Sequence, residues 1–121
     1  MSATIVWIDH HTAKLFNFAG ETVEHHTLHR HEPEHHTNHT ADAAHDSSHF
    51  YHQVAQKLHG AEALVILGPG VAKDQFVHHL EKHHHADLAK VVLAVETVDH
   101  PTDPQVVAHA RAVFTKHHLA V

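Results

Sequence analysis

Apolar residues open the chain in a pattern that predicts β-strands. Residues 4–9 are β-branched and apolar almost throughout, which is typical of a central strand covered on both faces. Two shorter apolar segments, at 14–18 and 21–24, each follow a polar turn and predict two further strands. The first part of the chain is therefore expected to form a three-stranded meander.

The rest of the chain alternates between strand-like and helical periodicity. Short apolar runs predict buried strands, and apolar residues at three- and four-residue intervals predict helices. The predicted helices span about 46–58, 71–85 and the region from about 102 onward, and the predicted strands span 63–67 and 91–95. We expect Thr102 or Asp103 to act as the N-cap of the last helix.

The predicted helix at 46–58 has two chemically different faces. At about 100° per residue, Phe50, Val54 and Leu58 lie on one side and are expected to pack on the sheet. The opposite side carries histidines, which are His45, His49, His52 and His59. In the next helix, Lys73 and most of the histidines are also expected to point outward.

The order of elements is β-β-β-α-β-α-β-α, which favours right-handed parallel crossovers in the second half and an antiparallel edge from the first hairpins. This order predicts an α/β fold of the ribonuclease H-like type, a five-stranded mixed sheet with helices on both faces. We expect one domain over residues 1–121. Residues 25–46 contain Leu28 as their single large apolar residue, so we expect a mobile histidine-rich insertion there.

Composition bounds the possible functions. The chain has no cysteine, which excludes disulfides and thiolate metal sites and fits a reducing compartment. No segment approaches the ~18 apolar residues of a membrane span, and the N-terminal residues do not resemble a targeting leader. We therefore expect a cytoplasmic protein without a membrane partner.

Histidine is the dominant chemical signal. The chain has 22 histidines and a net charge of −6 when they are neutral, and protonating all of them would reverse the sign of that charge. Neutral imidazole binds zinc, nickel and copper, and two histidines four residues apart on a helix can reach one ion. His79 with His83, and His45 with His49, have that spacing. The candidate metal ligands are His25, His26, His29, His31, His35, His36, His39, His45, His49, His52, His79 and His83.

A second possible site lies at the carboxyl edge of the predicted sheet, where open α/β sheets usually place their ligands. Its candidate residues are Asp9, His10, Glu96, Asp99 and His100. Paired carboxylates could hold magnesium for phosphodiester hydrolysis. A ribonuclease H-type centre would need further acids from the neighbouring strand and helix, and Leu67 and Gly68 supply none. The interpretation we favour is that Asp9 and Asp99 cap turns.

Two sequence segments resemble known translation proteins. Residues 64–76, with Gly-Pro-Gly leading from a strand into a helix that carries lysine and phenylalanine, and residues 91–97 resemble the middle domain of archaeo-eukaryotic peptide release factors and Pelota. Residues 6–10 and 96–103 resemble a group of small bacterial translational machinery proteins with histidine-rich loops. The resemblance implies a ribosome- or RNA-directed module. The chain has no Gly-Gly-Gln tripeptide, so hydrolysis of peptidyl-tRNA is not expected.

Three hypotheses follow from the sequence. The first is a non-enzymatic accessory protein that associates with the ribosome or RNA and has a metal-binding, histidine-rich surface. The second is a buffer or sensor for zinc, nickel or copper. The third, which we favour least, is a metal-dependent nuclease.

Overall fold

The computed structural model describes residues 3–19, 22–30, 40–83 and 85–117, with the backbone alone described at 40–48. In chain order, the elements are β1 (Ala3–Ile8), β2 (Thr12–Ala19), β3 (Thr22–His29), α1 (Thr40–Lys57), β4 (Ala63–Gly68), α2 (Ala72–Lys82), α3 (Ala86–Ala89), β5 (Val92–Thr97) and α4 (Asp103–Lys116). Within these residues, none of the helices is both long and apolar enough to span a bilayer.

The five strands form one mixed sheet in the order β3-β2-β1-β4-β5. Strands β1, β2 and β3 pair antiparallel, as their short hairpin connections require, whereas β4 and β5 run parallel to β1. Helices cover both faces. The predicted ribonuclease H-like α/β class, a five-stranded mixed sheet with helices on both sides, is confirmed.

Alternate residues of the central strands face two separate cores. Val6 and Ile8 contribute to a core beneath α1, α2 and α3, where Phe50 and Phe76 are also buried. Ile5 and Trp7 face the other core, which α4 covers. Because side chains alternate along a strand, an almost continuous apolar run is needed to supply both faces, as residues 4–9 predicted.

The described parts of residues 25–46, the segment predicted as a mobile insertion, belong to a strand and a helix. Strand β3 continues to His29, and α1 begins at Thr40. The backbone ladder with β2 holds polar side chains in a strand as readily as apolar ones, because the hydrogen bonds join main-chain groups. Several alanines favour the first turns of α1. The intervening residues 31–39 lie outside the described part of the chain.

The predicted helix at 71–85 is shorter than expected and is followed by a second, short helix. Helix α2 ends at Lys82, and the single turn α3 was not predicted. The outward placement predicted for Lys73 is wrong, because this side chain is buried and its Nζ donates to the carbonyl of Gly70. The buried ammonium group therefore has a hydrogen-bond acceptor in the backbone just before α2.

Thr102 caps α4, as one of the two sequence alternatives predicted. Its hydroxyl accepts from the amide of Gln105, and the Gln105 side chain accepts from the amide of Thr102, which forms a capping box. We expect Thr102→Ala to lower the free energy of unfolding by about 0.5–2 kcal/mol, as loss of an N-cap commonly does. Urea unfolding measures this, and Thr115→Ala, in the last turn of the same helix, is the control.

Candidate metal centre

Three histidines from different segments meet at the surface where α1 packs beside α2. His52 is on α1, His79 is on α2, and His85 lies in the connection between α2 and α3. One ring nitrogen from each lies within 4.8 Å of the others. Helix α2 ends at Lys82, and His85, which directly precedes α3, lies close to His52 and His79.

The imidazole rings of these three histidines lie near each other. His52 Nδ1 is 3.1 Å from His85 Nε2, and the ring centroids of these two residues are 5.2 Å apart. The centroid of His79 is 5.9 Å from that of His85 and 6.5 Å from that of His52. Two nitrogens bound to one tetrahedral zinc ion are about 3.3 Å apart, given Zn–N bonds of about 2.0–2.1 Å. The distance between His52 Nδ1 and His85 Nε2 is close to this value.

His79 is the buried member of this three-histidine cluster. Its exposed fraction is 5%, and its Nε2 is buried without a hydrogen-bond partner among the described residues. Burial, together with the smaller effect of the nearby imidazoles of His83, His85 and His52, lowers the pKa of His79 from 6.5 to about 4. At neutral pH, His79 is therefore an uncharged imidazole, which is the form that binds metal ions.

Tyr51 forms one wall of the cluster. Its ring meets His79 edge-on with centroids 5.9 Å apart, and its hydroxyl donates to the Gln75 side chain at 3.0 Å. Burial raises the pKa of Tyr51, and the positive charge of Arg30 opposes that change. Tyr51 is thus neutral at physiological pH and holds His79 in place by packing.

Sequence reasoning found two of the three cluster residues. His52 and His79 were candidates, whereas His85 was missed because the helix was expected to continue through it. On a continuous helix, a residue six positions after His79 would point to a different side at about 100° per residue. The end of α2 at Lys82 removes that constraint. The signal that was available is the run of histidines at 83–85, which marks this connection.

The other histidine candidates lie elsewhere. The His83 ring stacks on His79 with centroids 4.5 Å apart, and His83 is not part of the cluster of three. His49 is exposed on α1. The candidates on β3 are His25, His26 and His29. The side chain of His45 and the residues His31, His35, His36 and His39 lie outside the described part of the chain.

The carboxylates proposed for a second site each have a separate role. Asp9 accepts from the amides of His11 and Thr12 and closes the turn between β1 and β2. The Asp99 carboxylate lies 2.8 Å from the Nδ1 of His100, on the same exposed loop. Glu96 is paired with His109 of α4. Within residues 3–19, 22–30, 40–83 and 85–117, His52, His79 and His85 are the one set of three possible ligands that meets the 4.8 Å spacing.

Known structures share the fold of this chain. Pelota from Archaeoglobus fulgidus aligns with a TM-score of 0.66 and 18% identity over 96% of this chain and 34% of that protein. Pelota from Thermoplasma acidophilum aligns with a TM-score of 0.65 and 17% identity over 98% of this chain and 35% of that protein. The archaeal translation termination factor aRF1 aligns with a TM-score of 0.63 and 15% identity over 99% of this chain and 35% of that protein.

These alignments define the fold class. The chain spans about a third of the length of these proteins, and its resemblance to Pelota and release factors, predicted from residues 64–76 and 91–97, is confirmed at the level of the fold. Neither a protein-family model nor a curated protein sequence matches the chain.

Proposed function

We propose that this protein binds a divalent transition-metal ion, with zinc as the reference ion, through His52, His79 and His85. The observation that carries the proposal is the buried, unpartnered Nε2 of His79, which lies in a cluster with two other imidazoles. A buried polar atom without a partner costs about 1–3 kcal/mol. A metal ion would satisfy this nitrogen, so a metal site gives the buried histidine a physical reason to be there.

The donor set determines which ions fit. Three imidazoles suit zinc, nickel and copper, whereas magnesium and calcium prefer oxygen ligands. The exposed His52 and the half-buried His85 leave the cluster accessible to an ion from solvent. A three-histidine set leaves a fourth tetrahedral position for water or an added ligand. The same chemistry would serve a metal buffer, a metal sensor or an accessory protein that carries a metal-dependent surface.

Direct metal titration of the chelator-treated, untagged protein tests this function. Co²⁺ reports coordination through its visible absorption, and competition with Zn²⁺ gives the affinity for zinc. We expect one tight site. Replacing a ligand in His52→Gln or His85→Gln should raise the Kd for that site by about a hundredfold. This change corresponds to about 2.8 kcal/mol, a fraction of the about 10–16 kcal/mol with which zinc-finger peptides bind structural zinc.

The matched control is His49→Gln, which removes an exposed histidine one turn earlier on α1 without touching the cluster. It should leave the tight site unchanged and weaken only nonspecific binding. If wild type, His52→Gln and His49→Gln titrate alike, binding is spread over the histidine-rich surface and the proposed centre does not exist.

A second candidate function is association with the ribosome or with RNA in the cytoplasm. It is supported by the shared fold with Pelota and an archaeal termination factor and by the sequence resemblance to small bacterial translational machinery proteins. Co-sedimentation with bacterial ribosomes, with and without Zn²⁺, tests it. We expect the protein in the ribosome pellet. Its absence at every pH at which histidine changes charge would refute this function and leave the metal site unaffected.

A further inference from the structure

The two edges of the sheet differ in regularity. Strand β3 forms one edge and pairs with β2 through eight consecutive residues without a break in register. Strand β5 forms the other edge, and its pairing with β4 shifts between Leu64 and Val65. A bulge of this kind twists an edge and hinders further pairing. The β3 edge has no such interruption.

The sequence of β3 also lacks the residues that usually protect an edge. Natural edge strands carry lysine, proline or a bulge that blocks addition of another strand. Residues 22–29 contain no lysine, arginine or proline, and Glu24 is their one acidic residue. Among the described residues, no strand pairs with this edge. Strand β3 is therefore suited to pairing with another strand.

The bond made by Arg30, directly after β3, shows which β3 residues direct their backbone groups toward β2 and which direct them toward the open edge. The amide of Arg30 donates to the carbonyl of His11, at the end of the ladder with β2. Backbone groups of successive residues point to opposite sides of a strand. The even-numbered residues therefore bond to β2, and Val23, His25, Thr27 and His29 direct their amides and carbonyls toward the open edge.

We propose that two copies of this chain pair through β3, antiparallel and edge to edge, about a two-fold axis at His25. In this register, Val23 of one copy lies opposite Thr27 of the second copy, and about six backbone hydrogen bonds join the outward-pointing residues. The result is a continuous ten-stranded sheet. The interface is isologous, because each copy contributes the same strand.

Side-chain complementarity selects this register. Glu24 lies opposite His26 of the second copy, and the two-fold axis repeats this pair, so two carboxylates accept hydrogen bonds from two imidazoles. Glu24 and His26 lie on the same face of β3 and line a shallow cleft with Lys57, the last residue of α1, and His59, which follows the helix. A shift by two residues would instead place Glu24 opposite Leu28 and lose both polar pairs.

The side chain of His25, the residue at the two-fold axis, packs against its own chain. The His25 ring stacks on Phe16 of its own chain with centroids 4.5 Å apart and an angle of 5° between the planes. Its Nδ1 lies 4.0 Å from Asp103 at the start of α4, and Asp103 also pairs with Lys14. The ring therefore lies flat against its own sheet and leaves room for the second strand to approach.

Sedimentation of the protein in the presence of a chelator tests the interface, because histidine-rich surfaces can also be cross-linked by metal. We expect a reversible dimer over micromolar to millimolar protein concentrations. Thr27→Pro should yield a monomer with unchanged circular dichroism, since it removes an amide that points away from β2. A wild-type protein that is monomeric at every concentration refutes the proposal.

A charge exchange tests the register independently of any folding defect in Thr27→Pro. His26→Glu places two carboxylates opposite each other at both symmetric positions and should raise the dimer Kd by roughly tenfold. Adding Glu24→Lys should restore the wild-type Kd, because the pairs become lysine with glutamate. A dimer that is insensitive to His26→Glu, or a double variant no tighter than His26→Glu alone, overturns this interface.

Discussion

Zinc at a hundredfold excess over its Kd is expected to raise the free energy of unfolding by about 2.7 kcal/mol. The cluster draws its ligands from α1, α2 and the connection to α3, so an ion bound to all three links segments that separate on unfolding. The native state then binds the ion more tightly than the unfolded chain does. Urea unfolding in a zinc buffer and in chelator measures the difference.

The relevant quantity is the difference between variants, because an unfolded chain with 22 histidines also binds zinc and reduces the apparent effect. His85→Gln should lose the zinc-dependent stabilisation, and His49→Gln should keep it. Equal stabilisation of both variants would show that zinc acts through scattered surface histidines. In chelator, all three proteins should have similar stability, since the replaced side chains are not fully buried.

Acidification is expected to destabilise the metal-free protein through His79 before most carboxylates titrate. Burial lowers the pKa of His79 from 6.5 to about 4, so the folded state disfavours the proton that the unfolded state accepts. The stabilising contribution is complete above pH 6.5 and decreases as the pH falls toward 4. At 1.36 kcal/mol per pKa unit, the total loss is about 3 kcal/mol.

His79→Gln isolates this contribution, because glutamine does not titrate. Carboxylates titrate in both proteins, so the difference in free energy of unfolding between wild type and variant, measured at several pH values, reports His79 alone. That difference should change across the interval between the two pKa values and be constant above it. A difference that does not change with pH would mean that His79 titrates alike in the folded and unfolded states.

The proposed metal centre and the proposed dimer edge lie on different elements. The cluster is formed by α1, α2 and the connection to α3, whereas the edge is β3. Chelator and zinc experiments can therefore separate them. A dimer that survives chelator but depends on Thr27, together with a zinc site that depends on His85, would establish both as independent properties of one small domain.

The hydrophobic pattern of the sequence was sufficient to predict the fold class and the buried face of most helices and strands. The apolar run at 4–9 predicted a strand buried on both faces, and Phe50, Val54 and Leu58 predicted the inner face of α1. These features follow from the local period of the backbone, which repeats every two residues in a strand and every 3.6 in a helix. The cap at Thr102 follows from local chemistry in the same way.

The tertiary structure alone decided which histidines meet. Composition indicated metal binding, but its twelve candidate ligands offered many possible sets, and the spacing of His79 with His83 pointed to a pair that is not part of the cluster. The site depends on where α2 ends and on the position of His85 beside His52 and His79. The packing of α1 and α2 on one sheet brings together residues that are far apart in the sequence, and a local hydrophobic period does not record such contacts.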